Sequence, residues 1–280
     1  MAAFYSVPAT QLQNISWSSE KYLREQKASS NYNFTKTLYM EAAYTDTAAN
    51  QWQNHLNEAK HVQKICQTSD WLVGYVGGCD ISNGEMYTRK FLEELRDSDG
   101  KLSSWLKGLR IVQFGKPEGT VWYHEEMRKA LGVLGEEELI WEIGADLEDL
   151  RQVPRMLEEN PGVRFTLCHC GSNRLGRFGK EGMVEWKKLI TEVGKFENVV
   201  CKLGGQEESE VDPVEVLKHC IESFGWDRGV AESNWFVCEG LGWKLDKPFD
   251  LLSQACDELG ATQAQRDKVF WINAERWYNC

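Results

Sequence analysis

One histidine stands at the end of an alternating apolar run, in the segment VRFTLCHCGSNR at residues 163–174. The alternation predicts a strand that ends at His169, next to a turn. Chemistry in parallel α/β folds sits at the carboxyl ends of strands. An imidazole titrates near neutral pH, so it can move a proton or donate a hydrogen bond to a carbonyl oxygen. His169 is therefore the leading catalytic candidate, and a hydrogen-bonded structural histidine is the alternative.

Three charged residues interrupt other apolar runs, namely Glu41, Glu142 and Lys202. A carboxylate in such a run must be paired or must face a polar pocket, so we expect both glutamates to pair with Lys202 or Arg110, unless they face solvent at strand ends. A desolvated Lys202 would have a lowered pKa and could act as a base or form a Schiff base. We favour a structural or electrostatic role for it.

Arg110 lies on the predicted strand GLRIVQ, and its guanidinium could bind a substrate carboxylate or phenolate through two hydrogen bonds. A strand-end salt bridge is the alternative. We expect Tyr123 and His124, after this strand, to form one wall of a substrate pocket. Arg174 and Arg177 would add positive charge over that pocket, which favours an anionic substrate, although solvated loop arginines are common.

The nine cysteines are odd in number and include no CxxC pair or metal-finger spacing. Cys168 and Cys170 lie two apart in the predicted strand, so we expect them on one face, opposite to His169. Cys201 could be a reactive thiol because it adjoins Lys202, but a buried small apolar residue is the interpretation we favour. Reduced thiols predict a cytoplasmic protein.

The composition is that of a globular protein, with 280 residues, a net charge of −11 and 42% hydrophobic residues. The negative charge argues against nucleic acid or an anionic membrane as a partner. The N-terminus predicts neither a signal peptide nor a membrane helix. We expect a small-molecule substrate and no cofactor, and a homodimer is left open.

The chain alternates strands and helices, which predicts a parallel sheet with right-handed crossovers. No glycine-rich phosphate loop follows the early strands. Eight such units predict one domain, 1–280, with the fold of a distorted (β/α)8 TIM barrel whose first strand is degenerate. Residues 1–30 form a divergent N-terminal segment. The predicted strands cover residues 12–17, 36–43, 71–79, 108–113, 139–143, 163–169, 198–203 and 229–234. The predicted helices cover residues 20–26, 50–67, 86–95, 123–132, 147–159, 183–193, 213–224, 249–259 and 262–278.

Five segments occur in an order that resembles one family. They are GLR (108–110), ENPGVRFTLCHCG (159–171), KFENVVCKLGG (195–205), FGWDRGVAESNWF (224–236) and VFWINAERWY (269–278). The chain is similar to the amidohydrolase-2 group of barrel hydrolases, which includes sugar-acid lactonases and 2-pyrone-4,6-dicarboxylate lactonase. The resemblance implies a distorted barrel with its site at the carboxyl ends of the strands, and hydrolysis of a lactone or related bond.

Two departures from the family pattern bear on the chemistry. The first strand lacks the usual His-x-His pair, and the motif Ser-Asp-Trp-Pro becomes Ser233, Asn234, Trp235 and Phe236. The resemblance places Asn234 and Trp235 at the site, but an asparagine cannot act as a base. A hydrolytic metal site needs three or more ligands and an open position. Of the usual set only His169 remains, so we predict no catalytic metal.

Two functions of different classes fit these observations. The first is a metal-independent, lactonase-like hydrolase or related proton-transfer enzyme that acts on a small, oxygen-rich, anionic or aromatic metabolite. Isomerisation, cyclisation and decarboxylation are its non-hydrolytic forms, with His169, Lys202, Glu142 and Asn234 as candidate catalytic residues. The second is a catalytically silent barrel that binds a ligand or a partner.

Overall fold

Seven short parallel strands form one sheet in the computed structural model of the chain, which describes residues 18–42, 50–111, 121–172, 174–207 and 210–280. Each strand pairs with the next one along the chain. This order confirms the α/β class and the distorted barrel. The predicted strand at 12–17 lies outside the described residues. The strands are β1 Thr37–Met40, β2 Leu72–Gly78, β3 Leu106–Ile111, β4 Ile140–Ile143, β5 Arg164–Leu167, β6 Val199–Leu203 and β7 Gly229–Ala231.

The helices follow the strands and cover the outside of the sheet. None in the described part of the chain is long and apolar enough to cross a membrane. They are α1 Ser19–Ala28, α2 Gln51–Thr68, α3 Glu85–Glu93, α4 Glu125–Glu136, α5 Leu147–Leu150, α6 Val153–Glu159, α7 Gly179–Val193, α8 Pro213–Phe224, α9 Val237–Gly240, α10 Lys247–Glu258, α11 Gln263–Asp267 and α12 Asn273–Tyr278.

Helix α8 illustrates how the sequence specifies these elements. Asp212 caps its N-terminus by accepting a hydrogen bond from the Val214 N–H. Pro213 occupies the first turn, where no backbone N–H is needed. Its apolar face, which includes the buried Leu217 and Ile221, joins the main hydrophobic core. Burial of such faces is the dominant favourable contribution to folding.

Two predicted helices are interrupted in the structure. The helix predicted at 147–159 is divided into α5 and α6, with Pro154 in the first turn of α6. A proline inside a continuous helix would remove a backbone hydrogen bond and clash with the preceding turn, so the helix stops and restarts. The helix predicted at 262–278 contains a π-helical turn at Lys268–Ile272 between α11 and α12.

Strand β5 ends at Leu167, two residues earlier than predicted. His169–Gly171 forms a 3₁₀ turn in which His169 and Cys170 have φ angles of 53° and 54°. The expectation that Cys168 and Cys170 share one face is wrong for this reason. The Cys168 thiol donates to Glu142, whereas the Cys170 thiol contacts Cys201 and Cys220. A left-handed turn does not continue the alternation of a strand.

Candidate active site

Six charged or titratable side chains meet at the carboxyl ends of the strands. We call them the mouth network: Glu41, Arg110, Glu142, His169, Lys202 and Glu232. Glu41 and Glu232 directly follow β1 and β7, and His169 follows β5. Arg110 and Glu142 are register partners on the adjacent strands β3 and β4. The parallel order of the sheet therefore brings together residues that are far apart in sequence.

Arg110 links the two glutamates that the sequence predicted as its partners. Its Nε donates a 3.2 Å hydrogen bond to Glu41 Oε2, and its Nη2 donates to the Glu41 carbonyl oxygen. Its Nη1 lies 3.8 Å from Glu142 Oε2. Glu41 and Glu142 are both buried, so the alternative that they face solvent is wrong. The guanidinium satisfies carboxylates that would be costly to bury alone.

Lys202 and Glu142 form a buried ion pair, with Lys202 Nζ 2.7 Å from Glu142 Oε2. The other carboxylate oxygen, Oε1, accepts a hydrogen bond from the Tyr278 hydroxyl. Burial opposes charge on both partners, but their mutual attraction outweighs it. The pKa of Glu142 is lowered and the pKa of Lys202 is raised. Lys202 is therefore an ammonium ion in this arrangement, which speaks against the Schiff-base alternative.

His169 pairs with Glu232, which the sequence analysis did not single out. His169 Nδ1 lies 2.8 Å from Glu232 Oε1, and the His169 N–H donates to the same oxygen at 3.1 Å. Burial opposes protonation of the imidazole, but Glu232 outweighs it and raises the pKa of His169. Glu232 also interacts electrostatically with Lys202, which joins the two halves of the mouth network.

The backbone around His169 is shaped for this close pairing. Gly205 has a φ of 68°, and a Cβ atom there would collide with the imidazole ring. Only glycine both adopts this conformation readily and leaves room for the ring. Gln206 Nε2 donates to the His169 carbonyl oxygen at 3.0 Å. The Gly205–Gln206 segment after β6 thus fixes the orientation of His169.

Asn234 lies beside Glu207. Its Nδ2 donates a 3.0 Å hydrogen bond to Glu207 Oε2. Burial raises the pKa of Glu207 to about 7. Glu207 also interacts electrostatically with His169. Asn234 is therefore connected to the mouth network through Glu207, a weakly acidic carboxyl group outside the network.

Four of the other predicted site residues have partners outside the mouth network. The Tyr123 hydroxyl donates to Glu159 at 2.7 Å, and His124 caps α4. Trp235 Nε1 donates to Glu239, and Trp235 packs against Tyr22. Arg177 is exposed and lies 3.6 Å from Asp146.

Arg174 differs from these residues because it is buried beside the His169 turn. Its N–H donates to Ser172 Oγ, which itself donates to Asp146 at 2.7 Å. The cationic loop predicted from Arg174 and Arg177 is therefore one buried and one exposed arginine near Asp146.

Three residues of the site were not predicted from the sequence, namely Glu232, Glu207 and Tyr278. Glu232 gave a usable signal, because it directly follows the short strand GVA and so must lie at the same edge as His169. Glu207 gave a weaker one, in a loop after β6. Tyr278 gave none, because nothing in a helical run shows that one hydroxyl enters the barrel.

Comparison with known families agrees with this geometry. The family model described as "Amidohydrolase" matches residues 87–280, which is more than half of the chain. The chain belongs to the amidohydrolase family. No match was found among curated protein sequences.

Solved structures resemble this amidohydrolase over nearly its whole length. An amidohydrolase from Burkholderia multivorans with bound zinc has a TM-score of 0.77 and 16% identity, covering 96% of this chain and 90% of its own. 2,6-Dihydroxybenzoate decarboxylase from Rhizobium has a TM-score of 0.65 and 14% identity, and the match covers 98% of this chain and 93% of its own. 5-Carboxyvanillate decarboxylase from Novosphingobium aromaticivorans with bound manganese has a TM-score of 0.66 and 15% identity, and the match covers 100% of this chain and 86% of its own. Identities this low show the common fold alone.

The zinc and manganese in those relatives raise the question of a metal at the mouth of this amidohydrolase. Here Glu41 is held by Arg110, His169 Nδ1 by Glu232, and Asn234 by Glu207. Within the described ranges, His, Cys, Asp and Glu ligand atoms gather in threes only at Cys170, Cys201 and Cys220, outside the network. The mouth residues, in this arrangement, do not present the three-ligand set that a catalytic metal needs.

Proposed function

We propose that this amidohydrolase is a metal-independent enzyme that uses His169 to transfer a proton to a small, oxygen-rich acid. The observation that carries the proposal is the His169–Glu232 pair, at 2.8 Å, beside the buried cation Lys202. A carboxylate that stabilises an imidazolium makes that imidazolium a proton donor near neutral pH. Because Glu232 takes Nδ1, the proton would pass through Nε2.

The exposure of each side chain supports a division of roles. Arg110, His169 and Glu232 are 14%, 12% and 11% exposed, whereas Lys202 and Glu142 are 4% and 0% exposed. Arg110 is therefore proposed to bind the substrate carboxylate or phenolate, and His169 to act on the reacting atoms. Lys202 and Glu142 lie behind them, and we assign both to positioning rather than to direct catalysis.

The same proton donor could serve two reactions. In lactone hydrolysis, water adds to the carbonyl carbon, the ring C–O bond breaks, and His169 protonates the leaving oxygen. The imidazole that is left neutral then takes up the proton that the added water loses. In decarboxylation of an aromatic hydroxy acid, His169 protonates the ring carbon, and the C–C bond electrons remain there as carbon dioxide leaves. Two structures of the same fold are decarboxylases, which supports including the second reaction in the proposal.

The test offers the protein a panel of lactones and aromatic hydroxy acids. Ring opening and carbon dioxide release are measured for each compound. The His169→Ala variant should lower turnover by roughly 10²–10⁴, and Asn234→Ala should cost less. His219→Ala, on the outer helix α8, is the control and should keep full activity. Full activity of His169→Ala would show that the acid–base role lies elsewhere. A substrate-dependent rise in melting temperature without turnover would favour a binding protein instead.

A pH profile tests the role of Glu232. If His169 donates a proton, turnover falls as the pH rises through its pKa. Glu232→Gln removes the carboxylate that raises this pKa, so the falling limb should move to lower pH. Metal content is measured on the same samples. Activity that requires about one equivalent of metal and is lost on chelation would refute metal independence.

A further inference from the structure

Three buried thiols meet on the outer side of the sheet. Cys170, Cys201 and Cys220, which we call the thiol cluster, have Sγ atoms that all lie within 4.8 Å of one another. Each residue is fully buried. Among the described residues, this is the one place where three metal-ligating atoms approach each other this closely.

Three separate elements build the thiol cluster. Cys201 alternates with Lys202 on β6, so its side chain points away from the barrel interior that Lys202 enters. Cys220 lies on the buried face of α8, which packs against β6. Cys170 reaches the same space because its left-handed turn redirects it from the path of β5. The three cysteines, spread over 50 positions of the sequence, thus meet through tertiary structure alone.

The hydrogen bonds of the cluster are weak. Cys170 Sγ lies 3.5 Å from the Lys202 carbonyl oxygen and 3.8 Å from that of Gly204, and Cys201 Sγ lies 3.7 Å from the Lys202 oxygen. The three thiols also form hydrogen bonds with each other. The five other buried cysteines do not gather in this way.

The size of the cluster suits a metal–thiolate centre. A metal–sulphur distance of about 2.3 Å places three thiolates roughly 3.8–4.0 Å apart in tetrahedral or trigonal geometry. The observed separations, none above 4.8 Å, need only small side-chain shifts to reach this value. Thiolate ligands select soft ions such as zinc and monovalent copper.

We propose that the thiol cluster binds one thiophilic d¹⁰ metal ion, of the zinc type, through three thiolates. Binding releases three thiol protons, so a divalent ion leaves a net charge of −1 and a monovalent ion −2. The smaller buried charge favours the divalent ion. The Lys202 carbonyl oxygen, close to two of the sulphur atoms, is a candidate fourth ligand. This site lies behind the sheet and does not depend on the proposed function at the mouth.

Cadmium is the probe, because its thiolate complexes absorb in the ultraviolet. The reduced, chelator-treated full chain is refolded anaerobically with Cd²⁺, which removes the barrier of burial, and excess metal is then removed. We expect about one retained equivalent, a sulphur-to-cadmium band and three sulphur neighbours by X-ray absorption. Zinc and monovalent copper are compared by competition, and loss of the cadmium band on adding either ion shows that this ion takes the same three thiolates.

Variants distinguish this site from the other cysteines. Cys220→Ala should lose the band and the rise in melting temperature caused by Cd²⁺, whereas Cys256→Ala, a buried cysteine on α10, should keep both. Circular dichroism checks that each variant folds, and Cys201→Ser replaces Cys220→Ala if that variant does not. Equal cadmium retention by the wild type and a folded cluster variant, or no retention by the refolded wild type, would overturn the proposal.

Discussion

The Tyr278 hydroxyl, on the last helix α12, donates a 2.5 Å hydrogen bond to Glu142 Oε1 inside the barrel. The neighbouring Trp277 Nε1 donates to Thr166 Oγ1, and Arg164 holds the Trp277 carbonyl oxygen. Helix α12 therefore reaches the barrel from the end where β5 begins. Glu142 is held by Tyr278 on one oxygen and by Lys202 on the other, so the last helix supports the mouth network.

We expect Tyr278→Phe to lower the free energy of unfolding by about 1–3 kcal/mol, because a buried charged acceptor loses its partner. Urea unfolding measures the change. Tyr87→Phe is the matched control, since the Tyr87 hydroxyl makes no hydrogen bond within the described residues. Equal effects of the two substitutions would show that the Tyr278 hydroxyl contributes nothing specific.

Lys202→Met should lower the free energy of unfolding by about 3–5 kcal/mol, because it leaves Glu142 buried without its nearest cation. The double variant Lys202→Met with Glu142→Met should cost less than the sum of the two single changes. Lys218→Met, which breaks surface pairs with Glu215 and Glu258, should cost less than about 1 kcal/mol. Additive single effects would contradict a coupled buried pair.

Glu58 predicts a stability that falls as the pH rises. Burial, reinforced by Glu41, raises its pKa from about 4.5 to about 7. The folded state keeps a proton that the unfolded state has lost, so this contribution is complete below pH 4.5 and is lost towards pH 7. From pH 5 to pH 8 the loss is about 2.5 kcal/mol.

The measurement for Glu58 is urea unfolding at both pH values. Glu58→Gln should fall less in stability between pH 5 and pH 8 than the wild type does, because glutamine is neutral throughout. Glu94→Gln, a half-exposed residue after α3, is the control and should behave as the wild type. If Glu58→Gln loses as much stability between pH 5 and pH 8 as the wild type does, other groups cause the loss.

Asn234→Asp should place a carboxylate where Asn234 Nδ2 now donates to Glu207 at 3.0 Å. In the structure, the neighbouring carboxyl group is that of Glu207. Two carboxylates at this distance share a proton, so the pKa of Glu207, already about 7, should rise further. We expect the variant to lose more stability from pH 5 to pH 8 than the wild type does, and to bind anionic ligands more weakly. Unchanged stability at both pH values would contradict this pairing.

The sequence alone determined the elements and the candidate side chains of this amidohydrolase. Alternating apolar residues specify strands and helical spacing specifies helices, so β1 to β7 and most helices fall near the predicted residues. Glu41, Glu142 and Lys202 stood out because charged residues interrupted apolar runs. The family resemblance, carried by five segments, was confirmed by the match over residues 87–280.

Only the tertiary structure decided which side chains meet. His169 and Glu232 are 63 positions apart and Glu142 and Tyr278 are 136 apart, so no local pattern could pair them. The direction of Cys170 depends on a left-handed turn, which the alternation of β5 does not encode. Periodicity reports the face of an element on which a residue lies. Its partner is set by the order of strands around the sheet and by long-range packing.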